Sequence, residues 1–331
     1  MHTTTNPTTC PWSDEVITYT WYGELPADHV DELRRMLRDS AVEDDEAGFP
    51  KITVDGPYPA GCAHLLVWLV PDERPGAGAP TERPRPILAA YLRVEPEDGV
   101  GFVRFVVRPE LRSKGIATLL FEQLGFDLTA PDGWAGTGVS ALYTWARGDH
   151  PAADRISSRF SGGGVRRTHR EWQLLAPLRG DATRHPDGAD VRPFEPGTDG
   201  ESLAVLRSRC ARAAPDREVP PELFVFVAPG TDGLRGAVSV DPDAGQRTDF
   251  GTAGRIAEIL VDPDHADGPV RPSLLGRGLD CLREKGLRVA GITVDSADRE
   301  LVRDCRLIGF MHDRTDAEYR VTSARSPRNA T

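Results

Sequence analysis

The chain has 331 residues, 39% hydrophobic and 27% charged, the composition of a soluble globular protein about twice the length of one domain. Its 51 acidic against 40 basic residues give a net charge of −11, which argues against nucleic acid or an anionic membrane as a partner. No apolar run approaches 18 residues and no signal-peptide pattern opens the chain, so a membrane span is excluded and a cytoplasmic location is expected.

In chain order, the β-rich stretch from Glu15 to Tyr22 is followed by a helical pattern over Asp28–Asp39, with Val30, Leu33, Met36 and Leu37 on one face. An acidic irregular segment runs from Val42 to Gly61. Strands are predicted at His64–Val70, Ile87–Val94 and Gly101–Val107, the first two separated by a Gly/Pro-rich loop from Pro71 to Pro86. A helix over about Lys114–Asp127, a strand at Leu142–Ala146, a helix at Ala152–Phe160 and a strand at Val165–Leu175 complete the first half. The polar, non-periodic stretch Arg179–Asp190 reads as a linker.

The second half replays this order. Val191–Phe194 and the amphipathic Glu201–Arg212 precede strands at Leu223–Val227, Ala237–Val240 and Ile256–Val261. A helix over Ser273–Lys285, strand Val289–Val294, helix Arg299–Leu307 and strand Glu318–Val321 follow. The junctions match in register: Val107-x-Pro109 recurs as Val261-x-Pro263, each followed by a Leu-Leu helix. The pattern predicts two α/β (α+β) domains, each a mixed central sheet flanked by helices, at 13–178 and 190–322, with a linker at 179–189 and a tail at 323–331.

The most informative segment is FVRFVVRPELRSKGIATLLFEQ, Phe102 to Gln123. A hydrophobic strand ends at Val107, a basic turn carries Arg112 to Ala117, and a helix begins. Free N–H groups and the positive dipole end at a helix N-terminus suit a pyrophosphate. Gly115 and Ala117 let backbone approach the ligand, while Arg112 and Lys114 supply charge. The five cysteines (Cys10, Cys62, Cys210, Cys281 and Cys305) are scattered without a C-x-x-C, so neither a disulfide framework nor a metal centre is expected.

This turn resembles the R-x-x-G-x-A motif of the GNAT acetyltransferase superfamily, and the order of elements in both halves resembles a tandem GNAT protein. Trp145 to Ala153 (WARGDHPAA) and Val294 to Phe310 (VDSADRELVRDCRLIGF) resemble segments of the mycothiol synthase family, which is itself tandem. The resemblance implies that acetyl-CoA is held by the first domain, through Phe105, Val106, Val107, Arg112, Ser113, Lys114, Gly115, Ile116, Ala117 and Thr118. It implies an N-acetyltransferase in which a small-molecule amine attacks the thioester directly. The acidic Val42–Gly61 segment suits a cationic amine. The alternative function is a non-catalytic acyl-CoA-binding scaffold or sensor, and the chain is expected to be a monomer or homodimer.

The second domain departs from the motif. Its turn reads DHADGPVRP, where Pro269 and Pro272 remove N–H donors and Asp264 and Asp267 repel a pyrophosphate. The family's acid, a Tyr on the penultimate helix, aligns with Cys305 in the second domain and Ser157 in the first. The position of its usual base Glu is held by Gly101 and Arg255. Glu95, Glu97, His150 and Ser157 are therefore the catalytic candidates of the first domain.

Overall fold

The structure is a computed structural model describing residues 8–9, 16–46, 49, 51–70, 85–178, 188–210, 223–248 and 250–322. The expected loop at Pro71–Pro86 falls almost wholly outside these residues, as do most of the linker and the 323–331 tail. Two compact units form, one from Met1–His169 with Ala317–Thr331 and one from Arg170–Asp316.

The first unit's sheet runs β1 (Thr8–Thr9), β2 (Val16–Tyr22), β3 (Ala63–Val70), β4 (Ile87–Glu97), β5 (Val100–Val107), β6 (Ala141–Ala146) and then the Ala317–Thr322 part of β13 (Met311–Thr322). All neighbours are antiparallel except β5 and β6. Helix α1 (Ala27–Glu46) covers one face with Leu33, Met36 and Leu37, spaced at i, i+3 and i+4, against Leu66, Leu88, Tyr91 and Val106. On the other face α2 (Ile116–Leu124) sets Ile116, Leu120 and Phe121 against Leu65, Val67 and Val103, joined by Ile156 of α3 (Pro151–Arg159). Helix α1 reaches Glu46, so the start of the acidic Val42–Gly61 segment is helical rather than irregular.

The second unit repeats the plan. The Glu171–Pro177 part of β7 (Val165–Pro177) pairs with β12 (Val289–Asp295), followed by β11 (Gly251–Val261), β10 (Leu234–Thr248), β9 (Phe224–Pro229) and β8 (Arg192–Pro193). Again one neighbouring pair, β11 and β12, is parallel. Helix α4 (Pro196–Cys210) buries Leu203 and Leu206 against Val227 and Ala237. Helices α5 (Val270–Glu284) and α6 (Arg299–Leu307) close the opposite core.

This division differs from one at the 179–189 linker. The strand 170–177, adjacent in sequence to the first unit, closes the sheet of the second, and the last strand of the chain closes the sheet of the first. Hydrophobic periodicity finds both strands but carries no information about which sheet edge each one joins.

His64, on β3, is fully buried with Nδ1 2.7 Å from the Tyr91 hydroxyl. Burial, with the nearby Arg93, pushes its pKa down from 6.5 to about 4. As pH falls the unfolded chain takes up this proton first, so His64 supports folding above pH 6.5 and that support is lost down to pH 4. The window corresponds to roughly 3 kcal/mol. Denaturant midpoints of the wild type and His64→Gln, compared from pH 7.5 to 4.5, should show a steeper acid loss in the wild type; parallel curves would refute this.

Candidate active site

Strands β5 and β6 run together only from Val100 to Phe102, opposite Ala141 to Tyr143. Beyond this they part. The Thr144 hydroxyl donates to the Val103 carbonyl at 2.7 Å, occupying the next ladder position with a side chain. Backbone polar groups alternate sides along a strand. The Arg108 N–H donates to the Ala89 carbonyl beside β4, so the even-numbered residues of β5 face β4. Phe105 and Val107 therefore turn their backbone toward the opening, with their side chains packed on the α2-face core. Val106 does not: its backbone faces β4 and its side chain is buried under α1, which corrects its assignment to the ligand edge.

After β5 the chain makes a short 3-10 turn, Pro109–Leu111, and reaches α2 through two residues with positive φ, Ser113 at +63° and Gly115 at +84°. Gly115 is the N-cap of α2, and a Cβ built on it would meet nothing within 4 Å. The N–H groups of Ile116, Ala117 and Thr118 precede the first helical hydrogen bond, Leu119 N–H to the Gly115 carbonyl, so they remain as donors. Lys114 is exposed beside them. A concave run of N–H groups with open space above its glycine fits a pyrophosphate.

Arg112 is placed differently from the expectation that it supplies charge to the ligand. Its Nε donates to the Val107 carbonyl at 3.1 Å, Nη1 to Glu43 at 2.9 Å and Nη2 to Asp44 at 2.8 Å. The guanidinium ties the turn to the end of α1, and the two carboxylates already balance it. Desolvation raises the Asp44 pKa, with Arg112 opposing that shift. Asp55 is likewise paired, with Arg34. Three carboxylates of the acidic segment are thus engaged internally rather than turned to a cationic substrate.

The equivalent turn in the second unit has the opposite polarity. There the helix supplies the base: Arg209 of α4 pairs with Asp262 at 2.6 Å and Asp264 at 2.8 Å, and the Cys210 thiol meets the Val261 carbonyl at 3.3 Å, as Arg112 meets that of Val107. Pro269, counted from the matching valine, stands where Gly115 stands, with φ −74° and no N–H. The Asp262 carboxylate accepts from the Asp264 N–H, and Pro269 accepts from the Ser273 N–H. Arg271 is buried and turned onto Asp304 and Glu300 of α6. Pro269 and Pro272 carry no N–H, so only Val270 and Arg271 offer backbone donors ahead of the first helical bond, and the turn's surplus charge is negative.

The catalytic candidates fare unevenly. Glu95 bridges Arg93 at 2.6 Å and Arg104 at 3.2 Å, so its carboxylate is committed to two guanidiniums rather than free as a base. Glu97 is exposed at the β4–β5 hairpin. His150 caps α3, its Nδ1 accepting from the Ala152 N–H at 3.1 Å, so that nitrogen's lone pair holds a helix rather than a proton in transit. Ser157 is half-buried on α3. Cys305 is fully buried and burial pushes its thiol up to about 12, so it is a core residue. One further residue, not singled out in the sequence, is tied to β6 and α3. Tyr319, on β13, stands directly opposite Thr144, shares its face, and donates its hydroxyl to Asp154 of α3 at 2.8 Å. Nothing in the local sequence links it to residues more than 150 positions earlier.

Two sheets that each part beside a strand-turn-helix junction define the GNAT fold, present twice. Solved structures agree: a GCN5-related N-acetyltransferase from Sphaerobacter thermophilus matches with TM-score 0.59 and 17% identity over 91% of this chain and 95% of that one. A tandem GNAT protein from the clavulanic acid biosynthesis pathway matches with TM-score 0.54 and 15% identity over 94% and 99%. No family model matches the chain. In sequence it is 29% identical to the mycothiol acetyltransferase of Saccharomonospora viridis and 26% identical to that of Actinosynnema mirum, in each case over 91% of this chain and 98% of the relative. The chain has the tandem GNAT fold and is similar in sequence to the mycothiol acetyltransferases.

Proposed function

We propose that the chain transfers an acetyl group from acetyl-CoA to the amine of a small molecule, and that the first unit alone holds the donor. The contrast between Gly115 and Pro269 carries this reading. One turn offers free N–H groups, open space and Lys114, while the other offers proline and aspartate. Ser113 to Thr118 would hold the pyrophosphate, and the Phe105 backbone with the Val107 N–H would align the pantetheine arm as an added strand, the Val107 carbonyl being taken by Arg112.

Acetyl-CoA supplies the activated thioester. The residues of this chain position it. The Phe105 N–H, turned into the opening, is aimed where carbonyl charge develops, and the neutral amine approaches from the α1 face. With Glu95 and His150 committed elsewhere, the acid-base contribution of side chains is small and positioning dominates. A thiol-sugar amine of the mycothiol kind is one acceptor consistent with the relatives.

Calorimetric titration with acetyl-CoA should give one site per chain, and thiol release with an amine panel should give turnover. Two sites would overturn the reading of the second unit. Binding without thiol release would favour a non-catalytic acyl-CoA-binding protein.

A further inference from the structure

Three buried polar atoms on the α1 face of the first unit have no hydrogen-bond partner among the described residues: His64 Nε2, Arg93 Nε and the Tyr58 hydroxyl. They belong to one cluster. The Tyr58 and His64 rings lie 4.7 Å apart, and the Arg93 guanidinium is 5.3 Å from the Tyr58 ring centre. His64 is fully buried and Arg93 is 8% exposed. Unpaired buried polar atoms are rare, and three together call for a ligand group or a water.

Their chemistry narrows the choice. Tyr91 meets His64 Nδ1 at 2.7 Å; with the hydroxyl donating, the proton of the neutral imidazole lies on Nε2. The Arg93 Nη atoms are already used by the Thr53 carbonyl and Glu95, leaving Nε–H. With Nε2 protonated, the cluster presents two N–H donors and a hydroxyl that lies beside the Arg93 guanidinium. Other ionisable groups around it are Tyr91, Cys62 and Glu95, with Asp55 farther out and paired to Arg34. Arg93 and Arg104 share the single carboxylate of Glu95, which leaves one positive charge in excess.

The cluster also adjoins the opening. His64 pairs in register with Arg93, and Arg93 with Arg104, which lies on β5 between Val103 and Phe105. Two strand spacings separate His64 from β5, roughly 10 Å.

We infer that Tyr58, His64 and Arg93 form a subsite for an anionic oxygen group, a carboxylate or a phosphate, carried by the acceptor several bonds from its amine. This rests on the proposed acetyl transfer for its role in catalysis, but the anion site itself can be read without it. The acceptor class is then an amine that also bears an acid, rather than a simple cationic amine.

The test uses the full chain. The His64 ring resonance, assigned with His64→Gln, is followed on adding sulfate, inorganic phosphate or acetate against chloride at constant ionic strength. A saturating shift with at least one oxyanion is expected, weakened at least fivefold by Tyr58→Phe, which removes only a hydroxyl, and by Arg93→Gln. No shift beyond that of chloride would overturn the inference and leave bridging water as the occupant. In the second arm, thiol release is compared for 5-aminopentanol, its phosphate monoester and 6-aminohexanoate. The preferred anionic amine should exceed the alcohol at least tenfold in kcat/KM, through KM, and Tyr58→Phe should erase the difference. The two anionic amines distinguish phosphate from carboxylate. Equal rates for all three would overturn the acceptor assignment, whereas failure to bind acetyl-CoA would remove the proposed function and leave the anion titration readable.

Discussion

A fragment of residues 170–316 should fold on its own, while fragments 1–178 and 190–331, cut on either side of the polar linker, should not. The second unit is continuous in sequence, whereas the first requires the strand Ala317–Thr322. Fragment 1–178 would leave β6 with only its short parallel pairing to β5 and remove the buried Tyr319 and Val321. Its own residues 170–177 would become an unpaired strand exposing Leu174 and Leu175, which are 1% and 6% exposed in the whole chain. Fragment 190–331 would lose that strand from its core. Burial of two leucines contributes about 3–6 kcal/mol, comparable with the ~5–15 kcal/mol net stability of a domain. Circular dichroism and cooperative urea unfolding decide the matter. A cooperative transition for 1–178 would refute the strand assignment. Joining 317–322 to residue 169 through a flexible linker should restore folding of the first unit.

Gly115→Asp should abolish acetyl-CoA binding, weakening it at least 100-fold, with little change in Tm. A Cβ at this position meets nothing within 4 Å, so the side chain enters open space. The backbone holds φ +84°, which Asp tolerates better than most residues, at a cost of about 1 kcal/mol. The carboxylate then stands among the N–H groups that would receive the pyrophosphate, and replaces a favourable site with charge repulsion. A 100-fold loss corresponds to about 2.7 kcal/mol, modest for a misplaced charge at a helix N-terminus. Conversely, Pro269→Gly should create no second site, because Asp264 and Asp267 remain and Arg271 stays turned onto Asp304. Calorimetry with both variants checks this; unchanged binding in Gly115→Asp would remove the first unit's turn from the donor site.

Much of the candidate site is local and therefore legible. Gly115, the basic turn and the helix after it are contiguous, and their function depends on backbone geometry that glycine and proline fix directly. The side-chain roles are less legible because long-range pairs decide them. Arg112 reads as a phosphate ligand until Glu43 and Asp44, nearly 70 residues away, take its guanidinium. Glu95 reads as a base until Arg104 folds beside it, and His150 until its own helix claims the Nδ1 lone pair.

The sequence by itself determined that one α/β plan occurs twice, and that the turn after the Val-x-Pro junction carries a glycine in the first copy and a proline in the second. Repeated order, matched Val-x-Pro junctions and the Gly115/Pro269 contrast follow from local periodicity and backbone stereochemistry. The tertiary structure decided which strand closes which sheet, which charges are already neutralised, that Tyr58, His64 and Arg93 come together, and that Tyr319 meets Asp154. Those outcomes depend on sheet edges and ion pairs formed between distant segments, where the free energy is set by the partner that arrives and not by the residue's own neighbours in the chain.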